Sequence, residues 1–520
     1  MTERSESDDV AISLDISCCG GPAVDDLAWD SGNRNGCDRG AVSEVGSCEM
    51  KDDSVQESGG ASQGIFSGVD LDEMMSNPSA MRKSILALAW PVVTELVLQT
   101  VTQMADMIMV GRLGSQCVAA VGLSNQPFNI IQGCFMGIGV GTTALVARFM
   151  GAGDEGRADR VTAQSLAIGS ILAAVFAVFG YYFTPNFVRF MKAGPDVVPY
   201  AESYMRVLMP GLFMLVINMI ASSALRGAGD TRYPMRVNIV LNLANIVGNY
   251  TLIYGKFGAP ALGVTGAALS TTIARTIGTA MLLWHLFSGK GRISVRTQGE
   301  RFRFDPVLIR RVFAVGLPAS LERVSLSLGI SFYVRIVSAL GTAAYAAHAI
   351  AINAEGISYM PGFAFAVAAT TMVGQALGAD RPDVAERAGI ESWKMSATIM
   401  GLMGVVLFCF PDALMRLYGD DLEIISMGAE VLRIMAVAQV PMATSYVFVG
   451  ALRGAGDTRA VLIFTMACVW GVRFCLAWLF VNVFGWGLAG AWYAMAIDWV
   501  ARGTIAALRF RSGHWKQMRI

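Results

Sequence analysis

Charge is what this sequence has least of. Only 15% of its 520 residues are Asp, Glu, Lys or Arg, against about 25% in an ordinary soluble domain, which argues against a soluble multidomain enzyme. Three histidines leave little for a His-rich metal centre or an imidazole base. No GxxxxGK[ST] run occurs anywhere, so ATP coupling within this chain is excluded at the level of motif. The N-terminus has neither the basic start and apolar core of a secretory signal nor the acid-poor composition of a transit peptide.

The charge that is present is divided. Residues 1–75 hold 17 acids against Arg4, Arg34, Arg39 and Lys51, and the remainder is correspondingly basic. This Ser-, Gly- and Asp-rich stretch shows no helical or strand periodicity and cannot bury enough apolar surface to offset chain entropy, so it is expected to be disordered. Cys18, Cys19, Cys37 and Cys48 lack CxxC spacing and a neighbouring histidine, and read as reduced thiols in a solvated tail rather than as a metal site. The expected organisation is an acidic tail (1–78), a first lobe (79–288), a basic connector (289–311), a second lobe (312–510) and a short basic end (511–520).

From Ile85 onward, apolar stretches long enough to cross about 30 Å of hydrocarbon recur between short polar breaks. They cover 85–110, 118–146, 162–184, 198–222, 234–256 and 263–288, then 312–337, 343–373, 391–411, 428–450, 461–483 and 487–509. All are expected to be helical, because lipid offers no partner to an unpaired backbone group. Lys and Arg cluster in the even-numbered connections, from Arg148, Arg157 and Arg160 through Arg453 and Arg459. That bias predicts both termini on the cytoplasmic side.

The chain also repeats itself. Ala224–Arg232 and Ala451–Arg459 read the same nine residues, ALRGAGDTR, at an offset of 227. The same offset carries Pro91 onto Pro318, Glu95 onto Glu322, Leu113-Gly114 onto Leu340-Gly341, and Gly151 onto Gly378. Each half holds six spans, so the repeats are parallel and related by an axis along the membrane normal, which places a substrate path between two lobes. Two six-helix bundles able to rock against each other describe a transporter.

Polar residues inside the spans are the candidate site, since a charge at mid-bilayer costs roughly 2.5–3.5 kcal/mol or more. Glu95, Gln99, Gln103 and Asp106 share one face of the first span. Asn238, Asn242, Asn245 and Asn249 repeat the spacing on the fifth, and Asn125, Asn129 and Gln132 resemble it on the second. Such amides can be interhelical glue. Glue would be expected in both lobes, yet the offset turns Gln99, Gln103 and Asp106 into Leu326, Ile330 and Tyr333, and the Asn ladder into Thr465, Val469, Val472 and Leu476. An acid ringed by amides is expected to bind a proton, or Na⁺ when ionised. Glu95 and Glu322, each four residues after a proline, read equally as substrate-facing acids of a cleft or as acids holding local backbone. Asp498 and Arg502, at i and i+4, are expected to satisfy each other; Glu355, Arg275 and Arg473 also fall within spans. In the ALRGAGDTR loops the glycines suit a tight turn, an aspartate can cap the next helix, and the arginines suit the headgroup level.

Taken together, ADMIMVGRLG (Ala105–Gly114), the paired LRGAGDTR loops and MPGFAFAVAATTMVGQALGA (Met360–Ala379) resemble the multidrug and toxic compound extrusion (MATE) family, across roughly residues 80–510, and closest to its DinF-like and archaeal members. The resemblance implies an all-α integral membrane protein of twelve transmembrane helices, in two parallel six-helix repeats forming a V-shaped two-lobe transporter. It implies export of organic cations, drugs or amphipathic small molecules in exchange for H⁺ or Na⁺, with no cofactor and no enzymatic activity. Asp106 matches the first-helix aspartate tied to cation coupling, and Asn245 and Asn249 match fifth-helix positions of the same site. The second of these is typically Asp, so Asn249 removes one titratable group from a two-carboxylate relay. Thr271, beside Ser270, resembles a sixth-helix member of that site. Met442 stands where another branch has a tenth-helix acid.

The expected ion-coupling set is therefore Asp106, Asn245, Asn249 and Thr271, with Na⁺ at Asp106 as the one conceivable metal. The expected cleft-lining set is Glu95, Gln99, Gln103 and Glu322. Expected partners are a small organic substrate and membrane lipid, not nucleic acid, for a monomer in the plasma or inner membrane. A lipid-linked-precursor flippase of the wider superfamily is the alternative, although its cleft should be more cationic. The major facilitator fold also has two six-span halves, but Ala147–Arg160, ARFMGAGDEGRADR, does not fit its loop after the second span. An integral-membrane enzyme would need a nucleophile–base or metal cluster, and His285 and His348 stand alone.

Overall fold

The computed structural model describes residues 71–191, 194–289, 291–295 and 303–518. The acidic tail with its four cysteines, and Lys290, Arg296 and Arg301 of the connector, lie outside the described residues. Among the described residues there is no β-strand, and twelve long helical segments follow one another. They are α1 (Pro78–Gly111), α2 (Ser115–Gly151), α3 (Glu155–Phe190), α4 (Val198–Gly227), α5 (Arg232–Tyr254) and α6 (Gly263–Ser288) in the first half. The second half holds α7 (Pro306–Ser338), α8 (Thr342–Gly378), α9 (Pro382–Cys409), α10 (Leu422–Ala455), α11 (Thr458–Val483) and α12 (Gly487–Arg511). Ten of these are long and apolar enough to cross a membrane; α6 and α12 fall below that mark, α12 because it carries Asp498 and Arg502.

Most of the helices outrun the hydropathy spans because their polar first turns are helical too. Asn77 caps α1 by accepting from the Ser79 amide at 3.0 Å, with Pro78 at a position where a missing N–H costs nothing. Asp305 does the same for α7 ahead of Pro306, and Asp154 caps α3. One span departs from regular geometry: α11 runs as π-helix over Ala467–Phe474 and Leu479–Val483, whereas α5, its repeat partner, is α-helical throughout.

The halves exchange the starts of their first helices. Met81, Ile85, Leu88, Ala89 and Val92 of α1 belong to the core formed by α8, α9, α10 and α12. Leu308, Val312 and Val315 of α7 reciprocally join the core of the first lobe. Farther along, Glu95 of α1 and Glu322 of α7 each bond to residues of their own lobe.

The seam between lobes is built from small residues and backbone. Gly137 lies against Gly316 and Ser320, Gly141 against Val312, Gly151 against Gln375, and Gly378 against Arg148. Hydrogen bonds cross it from Ser320 Oγ to the Cys134 carbonyl at 2.6 Å, from Thr371 Oγ1 to that of Arg226 at 2.9 Å, and from Gln375 Nε2 to that of Gly227 at 2.9 Å. These contacts sit in the halves of the helices nearest the ALRGAGDTR loops. Toward the opposite end α1 exposes Val97, Val101, Met104, Met107 and Ile108, and α7 exposes Leu328, Ile330 and Phe332.

A methyl group at Gly316 would run into the Gly137 backbone. Gly316→Ala should therefore lower the apparent melting temperature of the purified protein, at a cost of about 1–3 kcal/mol for overpacking. Gly122→Ala, with open space around it, should not lower it. Equal melting of Gly316→Ala and wild type would contradict this seam.

Candidate functional site

The repeated ALRGAGDTR loops are turns that only glycine closes without strain. Gly229 and Gly456 sit at φ of 88° and 90°, the left-handed region. The following amides of Asp230 and Asp457 then donate back to Leu225 and Leu452 carbonyls at 2.9 and 2.8 Å, closing α4 and α10. Asp230 Oδ1 caps α5, accepting from Arg232 and Tyr233 amides at 3.1 and 3.0 Å. Asp457 does not cap: its carboxylate pairs with Arg509 at 2.8 Å.

These turns aim Arg226 and Arg453 inward rather than at the headgroup level. Arg226 Nη2 donates to both Glu95 oxygens at 2.7 and 2.8 Å, and Asn238 Nδ2 adds a third bond to Glu95 Oε1 at 2.8 Å. In the second lobe Arg453 Nη2 donates to Glu322 at 2.8 Å, and Thr465, the repeat counterpart of Asn238, lies 3.4 Å from the same carboxylate. Of the two readings of Glu95 and Glu322, cleft acid or structural acid, the structure shows each carboxylate held by an arginine of its own lobe. Both are clamped, and Glu322 is only 3% exposed; a buried carboxylate persists because a guanidinium neutralises it. The signal was present in the sequence, since Glu95–Arg226 and Glu322–Arg453 have the same separation of 131.

Eleven residues beyond Glu95 comes Asp106, about 16 Å farther at 1.5 Å per residue. Asn249 Nδ2 donates to Asp106 Oδ1 at 2.5 Å and lies 3.3 Å from Asn245 Oδ1. Asn245 Nδ2 donates to Thr271 Oγ1 at 3.1 Å, and Ser270 Oγ donates to the Asn245 carbonyl at 2.9 Å. The four residues expected to form one site are thus one hydrogen-bonded chain across α1, α5 and α6. Asn245 and Asn249 are 3% and 1% exposed, and Asn249 Oδ1 is buried without a partner. Gln99 and Gln103 stand exposed on α1 between the clamp and Asp106, and Asn125 and Asn129 of α2 are exposed as well.

Two arginines that the sequence shows only as charges within spans, Arg275 and Arg473, find partners in the structure. Arg275, one turn beyond Thr271 on α6, lies over the Phe128 ring at 4.9 Å and within electrostatic reach of Asp106 and of buried Tyr204. In the second lobe, Asp498 pairs with Arg502 as expected and also with Arg473 at 2.7 Å. Arg473 arrives from the π-helical part of α11, which no pattern of apolar residues announced.

A family model described as MatE matches residues 91–251 and again 318–479, and the two matches start one repeat apart. The chain belongs to the MatE family. Among relatives, it is 33% identical over 449 residues to the probable multidrug resistance protein NorM of Thermotoga maritima, covering 84% of this chain and 94% of that protein. It is 27% identical to the uncharacterised transporter YisQ of Bacillus subtilis, over 85% of this chain and 97% of YisQ. A MOP superfamily transporter from Pyrococcus furiosus, described as having a binding pocket of reverse polarity, superposes with a TM-score of 0.78 at 26% identity, covering 83% of this chain and 95% of that one. An outward-facing multidrug resistance MATE family transporter gives the same score, identity and coverage. This MatE protein is accordingly a multi-pass membrane transporter of two repeats.

The two clamps differ in depth. The Glu322 side chain is 4% exposed and that of Glu95 16%. Arg453→Met should destabilise by about 3–5 kcal/mol, the usual cost of stranding one member of a buried pair, and Arg226→Met by less. The double variant Glu322→Gln with Arg453→Met should recover part of the loss. Thermal melts of the three proteins decide it, and a double variant no more stable than Arg453→Met would contradict the clamp.

Proposed function

We propose that this protein is a secondary active antiporter that exports organic cations or other amphipathic small molecules in exchange for H⁺ or Na⁺, with Asp106 as the ion carrier. The observation that carries the reading is the Asp106–Asn249–Asn245–Thr271 chain, set beside apolar helix faces at the end where the lobes do not meet. The relatives support the direction of use, being named multidrug resistance proteins.

Asp106 is partly exposed and its amide partners Asn245 and Asn249 are buried, an arrangement that suits an exchanged ion. The donor set is oxygen throughout: Asp106, the unpartnered Asn249 Oδ1, Asn245 Oδ1 and Thr271 Oγ1. A proton would neutralise Asp106 and loosen its bond from Asn249; Na⁺ would instead draw these oxygens together. Substrate would lie against Gln99, Gln103 and the apolar faces of α1 and α7. Exposed Val101, Met104, Ile330 and Phe332 suit a lipophilic body, and a cationic head would compete with the coupling ion for Asp106.

The arginine-rich loops support a reading with the seam and both termini on the cytoplasmic side, in the plasma or inner membrane. The chain would work as a monomer surrounded by lipid, without catalytic chemistry.

Efflux of a fluorescent cationic dye from proteoliposomes, driven separately by a proton and a sodium gradient, tests the reading. Asp106→Asn should reduce gradient-driven efflux to the protein-free leak, and a wild-type rate would overturn the assignment. Transport under ΔpH alone makes Asp106 a proton site, and transport under Na⁺ alone makes the asparagines a coordination shell. Failure under both gradients across a panel of dyes would reject drug antiport in favour of a lipid-linked-precursor flippase.

A further inference from the structure

The offset that relates the lobes carries the Asp106 site onto a second buried polar site. Asp106 maps onto Tyr333, Thr271 onto Asp498, Arg275 onto Arg502 and Phe128 onto Glu355. Even the Asn245–Thr271 bond has a counterpart, in the Arg473–Asp498 pair at 2.7 Å. The π-helical stretch Ala467–Phe474 brings Arg473 to that place, one residue past the plain offset. The same kinds of group occur in both lobes but are dealt out differently: acid and hydroxyl have exchanged helices, and an acid stands where Phe128 underlies arginine.

We propose that this second-lobe site binds a proton on Glu355, delivered through His348 and Tyr333.

Charge counting comes first. Arg473 and Arg502 share the single carboxylate of Asp498, which leaves one positive charge uncompensated. Glu355, 3% exposed on α8, is in electrostatic reach of Arg473 but makes no ion pair or side-chain hydrogen bond with a described residue. Ionised, it brings the cluster to neutrality; protonated, it leaves the cluster at one positive charge. The excess charge rests on aromatic faces: Arg473 lies 5.9 Å from the Tyr333 ring and 5.7 Å from Trp499, and Arg502 lies 4.5 Å from Trp499. Around Glu355 the other elements contribute Tyr333 from α7, Tyr446 from α10 and Tyr359 from its own helix. Arg323 of α7 and the Asp498–Arg502 pair of α12 complete the charged surroundings.

A route to this acid is marked by unbonded polar atoms. Tyr333 OH, His348 Nδ1 and Trp492 Nε1 are all buried without a partner among the described residues, in residues 3%, 5% and 0% exposed. Their rings form a series, Tyr333 to His348 at 5.8 Å and His348 to Trp492 at 5.6 Å. Buried groups left unbonded are costly, and bridging water is the usual remedy at a polar site. His348 also lines a groove of about 250 Å³ with Val334, Tyr345, Ile352 and Asn353. A proton from solvent binds the His348 imidazole and passes by bridging water to the Tyr333 oxygen, as Tyr333 gives its own through a second bridging water to the Glu355 carboxylate. The net step is carboxylate plus proton to carboxylic acid, with histidine and tyrosine restored. Arg473 then loses a counter-charge at the irregular part of α11, a kind of helix defect often found at functional sites.

Use of this proton in transport rests on the antiport reading, but its binding does not, so the test is spectroscopic. Infrared difference spectra of the full chain in nanodiscs, recorded across a pH titration, should contain a buried carboxylic C=O band. That band should survive Asp106→Asn, disappear in Glu355→Gln, and shift in Tyr333→Phe or His348→Gln. Glu355→Asp guards against misfolding, because it should move the band rather than abolish it. A titrating band unchanged in both Glu355 variants, or lost only in Asp106→Asn, overturns the proposal while leaving the antiport reading intact. Gradient-driven dye efflux lost in Asp106→Asn with the infrared band still present would separate the two sites.

Discussion

Everything in the polar interior is registered from the Glu95–Arg226–Asn238 clamp. Parallel helices of equal rise keep their register over any distance, so one fixed rung sets the next. Glu95 meets Asn238 at 2.8 Å, and eleven residues along both helices Asp106 meets Asn249 at 2.5 Å. The clamp also reaches the other lobe. The Arg226 guanidinium holds Glu95, while the Arg226 carbonyl accepts from Thr371 across the seam. One residue thereby fixes where α1, leaving the opposite core after Val92, enters its own lobe. Its energetic weight comes from partial burial: with side chains 21% and 16% exposed, the two charges attract more strongly than they would on a fully solvated surface.

The second lobe shows what happens when the first rung is kept and the next is not. Glu322 and Arg453 reproduce the clamp, with Thr465 at the third position. Eleven residues on, the offset pairs Tyr333 with Leu476, and no hydrogen bond joins them. The π-helical turns of α11 shift the register, so Arg473 rather than an amide points into the interior. Duplication conserved the scaffold and released the far end of each lobe to diverge. A carboxylate among amides resulted on one side, and arginines sharing a carboxylate on the other.

Much of this was legible in the sequence where the physics is one-dimensional. Span lengths, the repeat offset, the one-sided Asp106 and Asn245–Asn249 stripes and the glycine turns all follow from spacing along a single helix. Contacts that need two helices of unknown register were less visible. Glu95 read equally as a cleft acid or a structural one, because nothing along α1 says that Arg226 folds inward from the end of α4. Arg275 and Arg473 were seen only as costly residues within spans, since cation–π partners such as Phe128 lie on other helices. The π-helical stretch of α11 left no trace, because its apolar composition is satisfied by either helix type.

The seam is built to be reversible. Its polar content is small: the bonds from Ser320, Thr371 and Gln375 to backbone carbonyls are each worth about 0.5–1.5 kcal/mol net. The bridging pair Arg82–Glu391 at 2.8 Å has an arginine side chain 51% exposed, where ion pairs contribute about 1 kcal/mol or less. Apart from the exchanged starts of α1 and α7, whose apolar side chains sit in the opposite core, the remainder is glycine against backbone, as at Gly137–Gly316 and Gly378–Arg148. One charge moved through 100 mV supplies about 2.3 kcal/mol before any concentration term, the same order as these polar bonds. The clamps, in contrast, lie within each lobe and need not break for the seam to open. Rigid-body rocking of two lobes, the motion the proposed antiport would use, needs strong polar contacts inside lobes and weaker ones between them, and the placement of the two symmetric Glu–Arg pairs meets that requirement.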